Sequence, residues 1–448
     1  MSSPPSDLLR GRLERLVREA QARDRAPSVA AAVAREGKVV WADAVGLADV
    51  AAGREATHDI RYRVGSITKT FTAAAVMQLR DAGKLTLDDR LGRHLDDLPH
   101  GDLTLRRMLS HLSGIQREPP GQIWETLDPP DREQFLASLG EAEQVLDPGA
   151  AWHYSNLAFA LLGEVVERVS GMPYRRYVEE RLLRPVGLES TGFDAGADAA
   201  VGYVVAPYED AVTVEPALHM RGTSASGQIW STVGDLCRWG SFLAAPDAEV
   251  LRPATAEEMR SLQVMAEPER WSLGWGLGLE LYRRGDRVWA GHGGAMPGHL
   301  AGFCFRATEW LAAAVLTNTG TTANPEDLAL ALGEATLELE PSAPEPWRPG
   351  EAPPEDVRSL LGRWWSEGDE FVFRWRDGRL EARLATLAAW RAPAVFAREG
   401  DDRWRTVSGR ERGELLQVVR DEAGAVTKLY WATYPFTRDQ RPFAHGEQ

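Results

Sequence analysis

Apolar positions along this chain keep two different periods, and the switches between them outline its elements. Leu8, Leu9, Leu13 and Leu16 fall on one side of a helix over residues 6–22, the three-to-four spacing of an amphipathic helix. Two β-type runs follow at 28–34 and 38–45, parted by the turn pair Glu36-Gly37. From about 66 to about 191 the period is helical again, with Leu161, Leu162, Val165, Val166 and Val169 marking one face. Strand character returns at 276–282, 287–292, 302–306 and 310–318, and the short turns between these runs make them antiparallel neighbours. Strands at both ends with helices between them predict an α/β unit, an antiparallel sheet flanked by helices with an inserted all-helical region.

Residues 341–355 interrupt the pattern with six prolines: Pro341, Pro344, Pro346, Pro349, Pro353 and Pro354. A segment of that kind is stiff and extended, so it reads as a linker between one domain over 1–340 and another over 356–448. The second domain has a different rhythm. Short strand-like runs recur at 370–376, 379–384, 394–398, 403–407, 414–420 and 426–433, with Asp377-Gly378 and Ala423-Gly424 as turns. Strands this closely spaced predict a small antiparallel β-barrel or sandwich.

Composition narrows the function. With 44% hydrophobic and 26% charged residues in 448, the chain has the make-up of a folded globular protein. Its 51 basic and 66 acidic residues leave a net charge of −15, the wrong sign for a nucleic-acid binder. No apolar run approaches the ~20 residues of a membrane span, and residues 1–28 lack the apolar core of a secretory leader. No nucleic-acid or membrane partner is expected, and the expected location is cytoplasmic. Cys237 and Cys304 are too few and too far apart for a disulfide framework or a zinc site, so they read as buried thiols and no metal or cofactor is expected. Lysine occurs only at Lys38, Lys69, Lys84 and Lys428, every other basic residue being arginine. Arginine cannot release its proton near neutrality, whereas a desolvated lysine can.

One of those four lysines stands in a chemical context. Ser66-Ile67-Thr68-Lys69 follows Gly65 and opens a helix with the apolar stripe Phe71, Ala74, Ala75 and Leu79. Residues three apart share a helix face, so Lys69 can meet Ser66 and, once desolvated, take its proton. Tyr154-Ser155-Asn156 follows the turn Pro148-Gly149. A phenol beside an ammonium can ionise or relay a proton, and the Asn156 amide offers both a donor and an acceptor. His292-Gly293-Gly294-Ala295 stands at the end of a predicted strand. Its paired glycines leave room for a substrate along the backbone, and a following N–H can complete an oxyanion hole with that of Ser66. There is no Gly-x-Ser-x-Gly elbow, and Gly274-Trp275-Gly276-Leu277-Gly278 has no helix after it to form a dinucleotide loop.

These three elements, in this order, resemble the penicillin-recognising serine enzymes: class C β-lactamases, D,D-peptidases, D-aminopeptidases and related esterases. Residues 103–115, 148–193 and 226–239 are similar to the same family, and the likeness covers about 25–335. The resemblance implies a β-lactamase/transpeptidase-like fold and a covalent acyl-serine. It casts Ser66 as nucleophile, Lys69 as base, Tyr154 as proton relay and Asn156 as orienter, with His292, Gly294 and Ala295 on the substrate-binding strand. Residues 356–448 resemble the lipocalin-like barrel that some members append. One departure stands out: the third motif has His292 where β-lactamases usually carry the lysine of Lys-Thr-Gly, which weakens recognition of a β-lactam carboxylate.

The resulting expectation is a serine enzyme that attacks an ester, thioester or amide carbonyl of a small-molecule or peptide-like substrate, free or carrier-bound, and passes the acyl group to water or to an amine. A close alternative is resemblance to the penicillin-binding-protein-type thioesterases that cyclise nonribosomal peptides, which also lack an export signal and add a lipocalin-like domain. A β-lactamase and a non-catalytic peptide sensor rank below both. From the second domain, Tyr434-Pro435-Phe436-Thr437-Arg438 is expected to roof the cleft, with Arg438 binding a carboxylate.

Overall fold

The Ser6 side chain accepts a hydrogen bond from the Leu9 N–H and so starts helix α1 (Asp7–Asp24). Its buried stripe is Leu9, Leu13, Val17 and Ala20; Leu8, assigned to that stripe by spacing, is exposed. The computed structural model describes residues 4–95, 98–321, 323–342, 346–388 and 391–441. Contacts divide the chain into two units, Met1–Ser342 and Ala343–Gln448. Pro344 of the proline-rich segment lies outside the described residues.

In the first unit the main sheet has nine strands: β1 (Ser28–Arg35), β2 (Lys38–Asp49), β3 (Arg54–Glu55), β4 (Val264–Met265), β5 (Leu273–Trp275), β6 (Glu280–Arg284), β7 (Arg287–Met296), β8 (His299–Arg306) and β9 (Leu311–Thr317). They lie in the order β3-β2-β1-β9-β8-β7-β6-β5-β4 with antiparallel neighbours. The first and last strands of the unit's sequence therefore meet in mid-sheet. Successive β1 side chains face opposite sides, and both sides are covered. Ala30, Ala32 and Ala34 join a core with α2 (Thr68–Asp81), α3 (Asn156–Ser170) and α4 (Val233–Ala244), whereas Val29, Ala31 and Val33 join a core with α1 and α5 (Pro325–Leu339). From α2 to about residue 191 the regular elements are helical, as the period predicts.

Two strand expectations change. Residues 276–279 do not continue the predicted 276–282 strand, because a Cβ on Gly276 would stand 2.1 Å from Met259 O and one on Gly278 2.3 Å from the Ala73 side chain. These glycines let the chain touch α2 and break the ladder. The predicted 287–292 strand instead runs on to Met296, held by the β7–β8 register from Ala290↔Phe305 to Met296↔His299. His292 and its glycines therefore sit inside a strand and not at its end.

The second unit is an eight-stranded antiparallel barrel whose strands, from Gly362–Ser366 to Tyr434–Phe436, follow in sequence order. The six predicted strands are present, and two were missed at the ends. Their backbones nearly close the sheet: Trp365 N–H donates to Thr437 O at 2.8 Å and Thr437 N–H to Trp365 O at 3.0 Å. Tyr434–Phe436 is the last strand, paired to Val426–Trp431, and its Pro435 is tolerated at a short end strand.

Candidate active site

Ser66 lies in a 3-10 turn, Gly65–Ile67, that leads into α2, and Lys69 is the second residue of that helix. The turn needs its glycine: Gly65 has φ +50°, and a Cβ there would meet Ala295 N at 2.7 Å. Trp239 donates to Thr70 Oγ1 at 2.8 Å and stacks on Phe71 at 4.2 Å, which fixes α2 against α4.

Lys69 is fully buried. Its Nζ is 3.0 Å from Ser66 Oγ, 2.6 Å from Asn156 Oδ1 and 2.7 Å from the Ser226 carbonyl oxygen. Two of those partners are acceptors only. A neutral amine has two N–H donors and one lone pair, so giving both donors to Asn156 and Ser226 turns the lone pair toward the Ser66 hydroxyl. Desolvation favours that neutral form and lowers the lysine pKa to about 7, against the opposing pull of Glu118. The site is therefore built to hold a base.

Burial pushes the Tyr154 pKa up, against the opposing effect of the nearby Ser66 side chain. The phenol keeps its proton at neutral pH, which makes it a donor or relay and removes the ionised alternative. Its ring stacks on His111 at 4.3 Å, meets Trp275 edge-on at 5.7 Å and lies 4.9 Å from Lys69 Nζ. His111 accepts the Ser155 N–H at 3.0 Å, so the histidine locks the segment that carries Tyr154 and Asn156. The Asn156 amide is oriented from its other side, where Nδ2 donates to Glu118 Oε1 at 2.6 Å.

His292, buried, turns Nδ1 toward the Gly293 carbonyl at 2.5 Å and toward Glu280 Oε1 at 3.2 Å. Burial and Lys69 hold its pKa down at about 3, so it is a neutral ring, unlike the fixed cation of Lys-Thr-Gly. The paired glycines serve a purpose other than the one their type suggests. A Cβ on Gly293 would lie 1.6 Å from Glu326 Oε1, and one on Gly294 would lie 1.9 Å from Val64 O and 3.3 Å from Ser66 N. They admit the protein's own atoms, a carboxylate behind the strand and the Ser66 turn beside it. That second approach brings Gly294 and Ala295 against the backbone of the Ser66 turn.

Ser66, Tyr154, Asn156, His292, Gly294 and Ala295 line one cleft of about 960 Å³. Its charged walls were not foreseen: Glu118, Glu215, Glu280 and Glu326 stand there with Arg117. The Tyr282 hydroxyl donates to Glu280 and lies 3.4 Å from Glu326 Oε2. Burial raises both carboxyls above the usual range, and the neighbouring Glu280 raises Glu326 further. The last β6–β7 partners are Glu280 and Gly291, which leaves the β7 edge beyond His292 unpaired by β6. Glu118 and Ser226 adjoin segments that carry the family likeness, a signal that could have found them; Glu280 and Glu326 had none.

Arg438 has its contacts within the second unit. Its guanidinium donates to the carbonyls of Ser359, Leu361 and Arg363 and lies 3.8 Å from the Trp364 ring centroid. Those bonds clasp the two ends of the barrel together, so the side chain that was expected to seize a carboxylate is engaged inside its own unit.

A family model described as Beta-lactamase matches residues 13–337, and one described as Domain of unknown function (DUF7586) matches residues 353–438. Penicillin-binding protein 4 from Amycolatopsis lactamdurans is 31% identical over 343 residues, 70% of this chain and 87% of that one. Esterase EstB from Burkholderia gladioli is 33% identical over 220 residues, 45% of this chain and 55% of that one. The solved structure of SurE with D-Leu is 27% identical with a TM-score of 0.61, covering 97% of this chain and 100% of that one. The chain spans 40% to 55% of the length of several of the curated relatives it matches.

Proposed function

For a chain that belongs to the beta-lactamase family, we propose that Ser66 attacks the carbonyl of an ester, thioester or amide and carries the acyl group to an acceptor. The observation that carries this reading is the Lys69 amine, desolvated and 3.0 Å from Ser66 Oγ, with its other two partners both acceptors. Lys69 takes the hydroxyl proton as Oγ bonds to the carbonyl carbon, and the oxygen turns negative against the N–H groups of Ser66 and Ala295. Collapse breaks the bond to the leaving group, which receives a proton through Tyr154. The acceptor then gives a proton to Lys69 and Tyr154 as it attacks the acyl carbon, the bond from that carbon to Oγ breaks, and the proton returns to Ser66.

The cleft walls support a narrower statement. Four carboxyls, two of them raised toward their neutral forms, face one guanidinium, and His292 supplies no fixed positive charge. This lining suits a molecule that brings an ammonium or amine better than one read by its carboxylate. An amine acceptor, as in release of a peptide by cyclisation, is the second reading, and the acidic lining of the cleft favours it. Incubation with a fluorophosphonate followed by intact-mass measurement is the direct test. One adduct, on Ser66, is expected, and labelling of another serine would overturn the assignment. Partition of the acyl group between water and added D-leucine amide distinguishes hydrolase from transferase.

A further inference from the structure

The barrel of the second unit is stoppered at one end and hollow at the other. Because its strands run antiparallel in sequence order, successive connections alternate between the two ends. Val357 and Leu360, just before the first strand, are buried with Trp364, whose Nε1 donates to Leu360 O at 2.7 Å. They plug the end where the first strand begins. The opposite end, reached by four connections, holds a cavity of about 520 Å³, within the range of small-molecule pockets.

We propose that this hollow end binds a small neutral aromatic molecule carrying one hydrogen-bonding group, of the phenol or indole kind. Its floor is aromatic. Phe371 meets Phe436 edge-on at 5.0 Å, and Trp431 lies 5.9 Å from Phe436, the geometry in which a further ring finds edge and face partners. One polar group stands among them. Ser366, like Trp364, is an inward position of the first strand, and its hydroxyl is buried with no hydrogen-bond partner. A buried hydroxyl normally has one, so the ligand is the partner the fold omits. The mouth carries Glu367, Asp369 and Glu411 against Arg383, Arg391 and Arg410, a balance that attracts neither ion.

The test uses 2-naphthol as probe, its fluorescence anisotropy followed on the full chain with Ser66 blocked by a fluorophosphonate. Saturable binding is expected at one site. Ser366→Ala should weaken it about fivefold to tenfold, the worth of one hydrogen bond, and Ala394→Trp or Leu384→Trp, either of which fills the cavity, should abolish it. The two filling variants guard against one failing to fold, as checked by circular dichroism. No saturable binding to the wild-type chain would overturn the site, as would unchanged binding in a folded filling variant. Binding seen only with the cleft unblocked would do so too, by moving the probe to the other unit. An unchanged Kd in Ser366→Ala would overturn the assigned ligand class.

Discussion

The two units treat buried polarity in opposite ways. Among the described residues the barrel buries only Ser366 and Thr406 as polar side chains, whereas the first unit buries Arg63, Lys69, Asp235, Glu280 and His292 besides many hydroxyls. Burying an ionisable group is costly unless it is paired or loses its charge. In the first unit that cost falls where Lys69, Glu280 and His292 converge, and each is pushed toward its neutral form. The barrel spends its interior on aromatic packing around Trp364, Phe373, Phe396 and Trp431. Reactivity is thus concentrated in one unit, and its measure is how far each perturbed group matters.

The strongest way to break that contrast is to remove the nucleophile. Ser66→Ala should lower turnover of an activated ester by at least about 10⁴-fold and abolish the fluorophosphonate adduct seen by intact mass. Lys69→Arg comes next. It keeps a charge but cannot act as base near neutrality, so kcat/KM should fall by about 10²–10⁴, nearly as far as in Lys69→Ala. Substantial activity in Lys69→Arg would shift the base role away from the lysine.

The pH profile sharpens the assignment. As the proposed base, Lys69 would react as the neutral amine, and its pKa is lowered to about 7. Activity should therefore rise with pH through about 7 and fall tenfold per unit below it, as read from kcat/KM between pH 5 and 9. Glu280 titrates in the same region, so Glu280→Gln is the control: the acid limb should remain if Lys69 is responsible. A smaller effect is expected at Gly293. The methyl of Gly293→Ala would collide with Glu326, and overpacking of this kind costs about 1–3 kcal/mol, measurable as a lower Tm together with a modest loss of activity. Smallest of all, Arg438→Ala should destabilise the barrel while Ser66 acylation by small esters stays unchanged. Loss of acylation there would restore Arg438 to the mechanism.

Much of this was legible because it is local. The Ser66–Lys69 spacing is a property of one helical turn, and the strands of the barrel announce themselves by alternation and turn residues. Alternation failed where contact overrode it. Gly276 and Gly278 end a strand because α2 and Met259 crowd them, and His292 continues one because β8 pairs beside it. The first and last barrel strands were missed for a different reason: Gly362–Ser366 and Tyr434–Phe436 are short, and apart from the Trp365–Thr437 bridge each pairs only with its hairpin neighbour.

The sequence by itself determined the two-part organisation, the character of each part and the identity of the serine, lysine, tyrosine and asparagine that meet, since spacing and residue chemistry travel with the chain. Only the tertiary structure decided what surrounds them. Glu118 reaches the Asn156 amide across 38 positions and Ser226 reaches Lys69 across 157. Glu326 fills the space left by Gly293, and Arg438 is bound to the carbonyls of its own barrel. The physical reason is that a pKa, a cleft's charge and a guanidinium's partners depend on burial and on groups distant in sequence, and neither is written in any one segment.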